Sequence, residues 1–158
     1  MYPGAHAATR PEHPAVIMAG SGEVVTYRQL DDRSNQLARF WRERGLVAGD
    51  HVAIFSENQP RFFEVMWAAL RAGLYVTTIN SYLSAEEVGY ILDDSGARSL
   101  ITTSDKADIA ASALQHAPNV AFPLLIGDDD ERFAPYGESM AAMACDPLDE
   151  QTAGEMML

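Results

Sequence analysis

Few side chains in this sequence are spaced for chemistry. Cys145 is its lone cysteine. A reactive thiolate needs a nearby base and an electropositive setting, whereas Cys145 lies among Met143, Ala144, Asp146 and Pro147, so an inert thiol is expected. His6, His13, His51 and His116 lack the spacing of zinc ligands. The run Asp128-Asp129-Asp130-Glu131 offers carboxylates to a hard cation, but it lacks the spaced ligands and glycine of a calcium loop and reads as a solvated stretch. Gly20-Ser21-Gly22 could cradle a phosphate only if it opened a helix. A second β-prone segment follows it instead, so it reads as a hairpin turn. No catalytic, cofactor-binding or metal-binding residue is assigned.

The elements that would position any such chemistry are clearer. Met1 to Pro14 has no periodicity and reads as an irregular lead-in. Ala15–Ala19 and Glu23–Thr26 form the two arms of the hairpin. Thr26 with Gln29 is a capping box that opens a helix; Tyr27, Leu30, Leu37, Phe40 and Trp41 form its apolar face, and Gly45 stops it. Arg28, Arg33, Arg39, Arg42 and Arg44 lie mostly off that face and read as solvated, the later ones matched to the helix dipole.

Four apolar strands then begin at His51, Leu74, Arg98 and Ala121, at intervals of 23, 24 and 23 residues. One helix fills each gap: Pro60–Ala72, Ala85–Asp94 capped by Ser84 with Glu87, and Asp105–His116 capped by Ser104. Continuous apolar strands joined through helices predict a parallel sheet covered on both faces. Phe62, Phe63, Val65, Met66 and Trp67 make the first of these helices apolar nearly all round, so it is expected to be sandwiched. Tyr136–Ala144 reads as a short helix, and Gly154–Leu158 as the start of another strand.

Ligands of such a sheet bind beyond the carboxyl ends of its strands. Those ends carry Ser56-Glu57-Asn58, Asn80-Ser81-Tyr82, Ser104-Asp105 and Gly127-Asp128, which are neutral or acidic. A complete nucleotide site is therefore not expected, and Asn58, Ser84 and Ser104 read as helix caps.

The formal charge of -12 argues against a nucleic-acid surface and against a polybasic membrane patch. From Ser99 to Leu158, eleven acidic residues face only Lys106 and Arg132. With 158 residues and 47% hydrophobic content the chain can bury one ordinary core. It has no signal peptide pattern and no run long enough to span a bilayer; with one cysteine, a cytoplasmic location is expected.

Several segments, in order, resemble the adenylate-forming (AMP-binding) superfamily. Val25-Thr26-Tyr27-Arg28-Gln29-Leu30 resembles its first core motif, L-[TS]-Y-x-E-L. Leu70-Arg71-Ala72-Gly73-Leu74-Tyr75-Val76 resembles its second, L-K-A-G-x-x-x-V-P, although Thr77, Thr78 and Asn80 replace the usual prolines. Gly45–Ile54 and Tyr82–Ala97 also match, and T-T-I-N followed by S-A-E-E looks most like fatty-acyl-CoA synthetases of the bacterial FadD type. The resemblance implies a flavodoxin-like α/β subdomain preceded by a β-hairpin and helix. It implies an enzyme that uses ATP, Mg2+ and CoA to convert a carboxylic acid, expected to be a fatty acid, to an acyl-adenylate and then to acyl-CoA.

The family's phosphate loop, ending in P-K-G, follows a strand like Met156-Met157-Leu158, so the chain reads as an N-terminal fragment, inactive alone. Lys106 matches neither family lysine. Three regions are expected: residues 1–48, the hairpin and helix that would pack on absent sequence and leave apolar surface open to self-association; 49–127, the parallel subdomain; and 128–158, an acidic linker, short helix and strand start. The alternatives are a freestanding flavodoxin-like interaction module and a peptide-synthetase adenylation domain.

Overall fold

In the computed structural model, which describes residues 3–149 and 153–157, the chain opens with a four-residue helix, α1 (Gly4–Ala7). The irregular lead-in expected there is thus corrected. The Pro3 carbonyl accepts from the His6 and Ala7 amides, both at 2.9 Å, and His6 stacks on Tyr27 with ring centroids 4.8 Å apart. One turn is too short to leave a periodicity. β1 (Pro14–Ile17) and β2 (Val24–Thr26) form the antiparallel hairpin, with Gly22 at φ 74° in its turn. The capping box then forms in both directions: the Gln29 amide donates to Thr26 Oγ1 at 3.2 Å and the Thr26 amide to Gln29 Oε1 at 2.9 Å. It opens α2 (Tyr27–Glu43).

The rest of the chain builds the sheet: β3 (His51–Phe55), α3 (Arg61–Arg71), β4 (Tyr75–Ile79), α4 (Ala85–Asp94), β5 (Ala97–Thr103), α5 (Ala107–Leu114), β6 (Phe122–Ile126), β7 (Ala134–Pro135), α6 (Tyr136–Met140) and β8 (Glu155–Met157). All six paired strands run parallel, in the order β7-β6-β5-β3-β4-β8.

Because strand side chains alternate between faces, each apolar strand feeds two cores. Val52, Ile54, Val76, Ile101 and Leu124 pack with Leu37, Trp41, Val65 and Ala68 of α2 and α3. Ala53, Phe55, Leu100 and Leu125 pack with Val88 and Leu92 of α4 and with Ala110 and Ala113 of α5. Ser99 ties three elements at the amino end of the sheet, accepting from Trp41 Nε1 at 3.1 Å and donating to the Phe122 carbonyl at 2.8 Å.

α3 is not sandwiched on every side. It buries Glu64, Val65, Ala68, Ala69 and Arg71, but Phe63 is 38% exposed and Met66 and Trp67 are only half-buried. The hairpin reaches over this side without closing on it, which leaves a 580 Å³ cavity lined by Val16, Met18, Tyr27, Phe63, Met66 and Trp67. At the hairpin edges, Ile17 and Val24 are 64% and 47% exposed.

Candidate functional site

The strand order fixes where a ligand could enter. From β3 the chain crosses through α3 to β4 on one side, whereas from β5 it crosses through α5 to β6 on the other. Connections leaving in opposite directions open a crevice between the carboxyl ends of β3 and β5. Glu57, just beyond β3, occupies that place with two residues from the β5 end. Thr103 Oγ1 donates to Glu57 Oε2 at 2.7 Å, and Lys106 Nζ lies 3.4 Å from Glu57 Oε1. Partial burial works against ionisation of Glu57. The hydrogen bonds from Thr103, its own backbone amide and Lys106 outweigh it and hold the carboxyl below the usual carboxylate range.

The neighbouring loop is closed in a similar way. Gly127, at φ +125°, sits against Ser104, whose Oγ is 2.2 Å from where a Cβ would stand. Ser104 Oγ accepts from the Asp128 amide at 2.8 Å. It therefore ties the end of β5 to the end of β6 and does not cap α5, which has no side-chain cap. The cap expected of Asn58 is also absent: Gln59 Oε1 accepts from the Arg61 amide at 2.9 Å, and α3 starts at the turn set by Pro60. Ser84 alone of the three serves as expected, in a capping box with Glu87. Asp130 is engaged by Arg132, which holds its carboxyl down to about 2. Among the described residues no group of three or more His, Cys, Asp or Glu could hold a metal. Cys145 is exposed, and its thiol is pushed up by desolvation and by Asp32 and Asp146.

The polar groups at this edge are already engaged with one another. The one lysine is neutralised by Glu57, the glycine concavity is filled by a serine hydroxyl, and the adjoining Asp128 and Asp129 repel phosphate. What the arrangement does is fix the two loops that flank the crevice.

The sequence reading missed the polar set between α2, α3 and α6. Glu64 is fully buried, with Arg33 Nη1 at 2.9 Å and the Tyr136 hydroxyl at 3.3 Å. Burial first, and the Glu64 charge second, push the Tyr136 phenol well above its ordinary range. Arg71, 1% exposed, pairs with Asp31 at 2.8 Å and donates to Asn35 Oδ1. Arg33 and Arg39, expected in solvent, are instead engaged: Arg39 donates to the Asp146 and Pro147 carbonyls, both at 2.9 Å. The available signal was Asp31 and Asn35, one helical turn apart beside Leu30, Ser34 and Leu37.

The sequence profile described as AMP-binding enzyme matches residues 4–152. The chain is 34% identical over 119 residues to long-chain fatty acid transport protein 1 of Homo sapiens, covering 75% of this chain and 18% of that protein. It is 35% identical over 132 residues to 3-oxocholest-4-en-26-oate--CoA ligase of Rhodococcus rhodochrous, covering 82% of this chain and 24% of that one. Its fold superposes on the crystal structure of the anthranilate CoA ligase AuaEII in complex with anthranoyl-AMP with a TM-score of 0.87 at 19% identity, over 96% of this chain and 29% of that one. The chain thus spans 18–24% of the length of these two curated relatives.

Proposed function

The chain belongs to the AMP-binding enzyme family, and from that premise we propose that it is the amino-terminal portion of an AMP-forming acyl-CoA ligase. The substrate is a carboxylic acid of the fatty-acid class. The carboxylate takes up AMP from ATP with release of pyrophosphate, and the thiol of CoA then displaces AMP. The observation that carries this reading is the family match over residues 4–152, which takes in the hairpin and all of the sheet but β8. Two relatives named for a long-chain fatty acid and for a steroid carboxylate support a large apolar acid.

Within such a ligase this chain is scaffold. No residue in it is assigned a catalytic, cofactor or metal role; the pairing of Glu57 with Thr103 and Lys106 at the crevice between β3 and β5 supports that reading. ATP, Mg2+ and CoA are bound by other parts of the enzyme. Three regions are proposed: residues 1–48 pack on another part of the ligase, 49–127 form the parallel sheet subdomain, and 128–158 are an acidic linker, a short helix and the start of a strand. A cytoplasmic location fits the lone cysteine. Among the described residues no helix is long and apolar enough to cross a membrane. The exposed Ile17 and Val24 give the isolated chain a surface for self-association.

The test is an assay of the ligase that carries this chain, with ATP, CoA and a series of carboxylic acids. Release of AMP and pyrophosphate with long-chain acids is expected. ADP as product, or no adenylate with any acid, would overturn the reading.

A further inference from the structure

The segment between α6 and β8 contains no helix or strand among its described residues, so its carbonyls need partners from elsewhere. Three side chains of α2 supply them. Gln36 Nε2 donates to the Met143 carbonyl at 3.0 Å, Asn35 Nδ2 to the Cys145 carbonyl at 2.8 Å, and Arg39 Nη2 to the Asp146 and Pro147 carbonyls at 2.9 Å each. Residues 35, 36 and 39 lie on one side of the helix. Beside them Leu148, 5% exposed, is anchored in the core that contains Leu37, Ala38 and Trp41.

Asn35 cannot turn over. An arginine only donates, so the contact from Arg71 fixes Oδ1 on that side and aims Nδ2 at Cys145. Downstream, β8 is seated tightly on β4. The Gly154 amide donates to the Leu70 carbonyl at 2.9 Å, and a Cβ on Gly154 would stand 2.2 Å from the Leu74 carbonyl oxygen. Val76 pairs with Met156 and Thr77 with Met157.

We propose that Asn35, Gln36 and Arg39 are positioning residues that clamp the segment 143–147 and thereby set where β8 lies against β4. Because the clamp grips backbone carbonyls, it reads the path of the segment and not its side chains. The inference rests on the functional reading in one respect: in the ligase, the strand so placed carries the chain towards the phosphate-binding segment, and the clamp acts on the adenylation step through it.

Two measurements test this. In this chain, hydrogen exchange of the amides of residues 155–157 is compared between wild type, Arg39→Ala, Gln36→Ala and Asn35→Asp. The Asp variant still accepts from Arg71 but turns a carboxylate on the Cys145 carbonyl. About tenfold faster exchange in β8, with β3 and β5 unchanged, is expected for Arg39→Ala, which loses two hydrogen bonds. Unchanged β8 exchange in Arg39→Ala and Gln36→Ala, both at half-buried positions, would overturn the clamp. In the ligase, Arg39→Ala lowers kcat for adenylation about tenfold with KM for the acid within about twofold, and Arg39→Lys restores part of it. Equal kcat in wild type and Arg39→Ala would overturn the link to chemistry. A wild-type ligase without adenylation is a failure of the functional reading, visible before any variant is made.

Discussion

The two helix pairs that cover the sheet differ in chemistry. Under α4 and α5 the contact is dry: Val88, Leu92, Ala107, Ala110 and Ala113 meet Ala53, Phe55 and Leu100. Small residues bring those helices close, so that a Cβ on Gly89 would stand 3.0 Å from His116 Cβ and 3.1 Å from the Ala113 carbonyl oxygen. Under α2 and α3 the core is also apolar, but its border contains Asp31, Glu64 and Arg71, the buried charges among the described residues. A dry face gains stability roughly in proportion to the area removed from water. A buried ion pair returns little net stability, yet it is costly to break and it fixes one arrangement. The α2–α3 side is the one from which the 143–147 segment is gripped, so specificity of placement resides where the charges are.

The largest expected effect breaks the charged side. Arg71→Met removes the guanidinium from Asp31 and Asn35, leaving Asp31 only the 3.5 Å contact from Asn35 Nδ2, and should cost about 3–5 kcal/mol in chemical denaturation. Adding Asp31→Leu should recover much of it, and a loss below about 1 kcal/mol for Arg71→Met would mean the pair is solvated. On the dry side Leu92→Ala, at a fully buried site, should cost about 2–5 kcal/mol with no recovery from any polar partner.

A smaller effect separates the serines. Ser84→Ala removes a capping box and should cost about 1 kcal/mol by destabilising α4. Ser104→Ala should leave α5 intact and instead speed exchange of the Asp128 amide. Melting of α5 in Ser104→Ala would restore the capping role that the structure denies it.

The smallest effect lies outside both faces. Asp130 titrates at about 2 in the folded chain against an ordinary 3.8, held down by its hydrogen bonds with Arg132. A depressed folded value means its contribution is complete above the unfolded value and fades as pH falls from about 4 to 2. Carboxyl NMR should show this midpoint, and Arg132→Ala should raise it towards the ordinary value, with the amide of residue 132 still donating to Asp130 and holding it somewhat below. A wild-type midpoint near 3.8 would show the pair to be unformed.

These contrasts explain what was legible in the sequence. The strands from His51, Leu74, Arg98 and Ala121 and the helix Ala85–Asp94 could be read because apolar runs, Gly stops and a Ser84–Glu87 box each act locally. The edge strand at Glu155–Met157 was legible from Met156 and Met157 for the same reason. Asp31, Asn35, Glu64 and Arg71 were not, because a lone polar or charged group on a helix reads as solvated until partners 31 to 72 residues away are brought to it. The Glu57–Thr103–Lys106 closure was hidden likewise by a separation of 46 residues between Glu57 and Thr103. Ser104 failed as a cap because Gly127, with no side chain, lets a second loop take its hydroxyl.

As proposed, this chain is scaffold within an AMP-forming ligase and does not itself carry out the chemistry. The most direct test measures ATP-dependent acyl-CoA formation by the 158-residue chain beside the ligase that carries it. Turnover by the ligase and none by the chain alone is expected. Turnover by the chain alone, abolished by Lys106→Ala, would contradict it and place the chemistry at the crevice between β3 and β5.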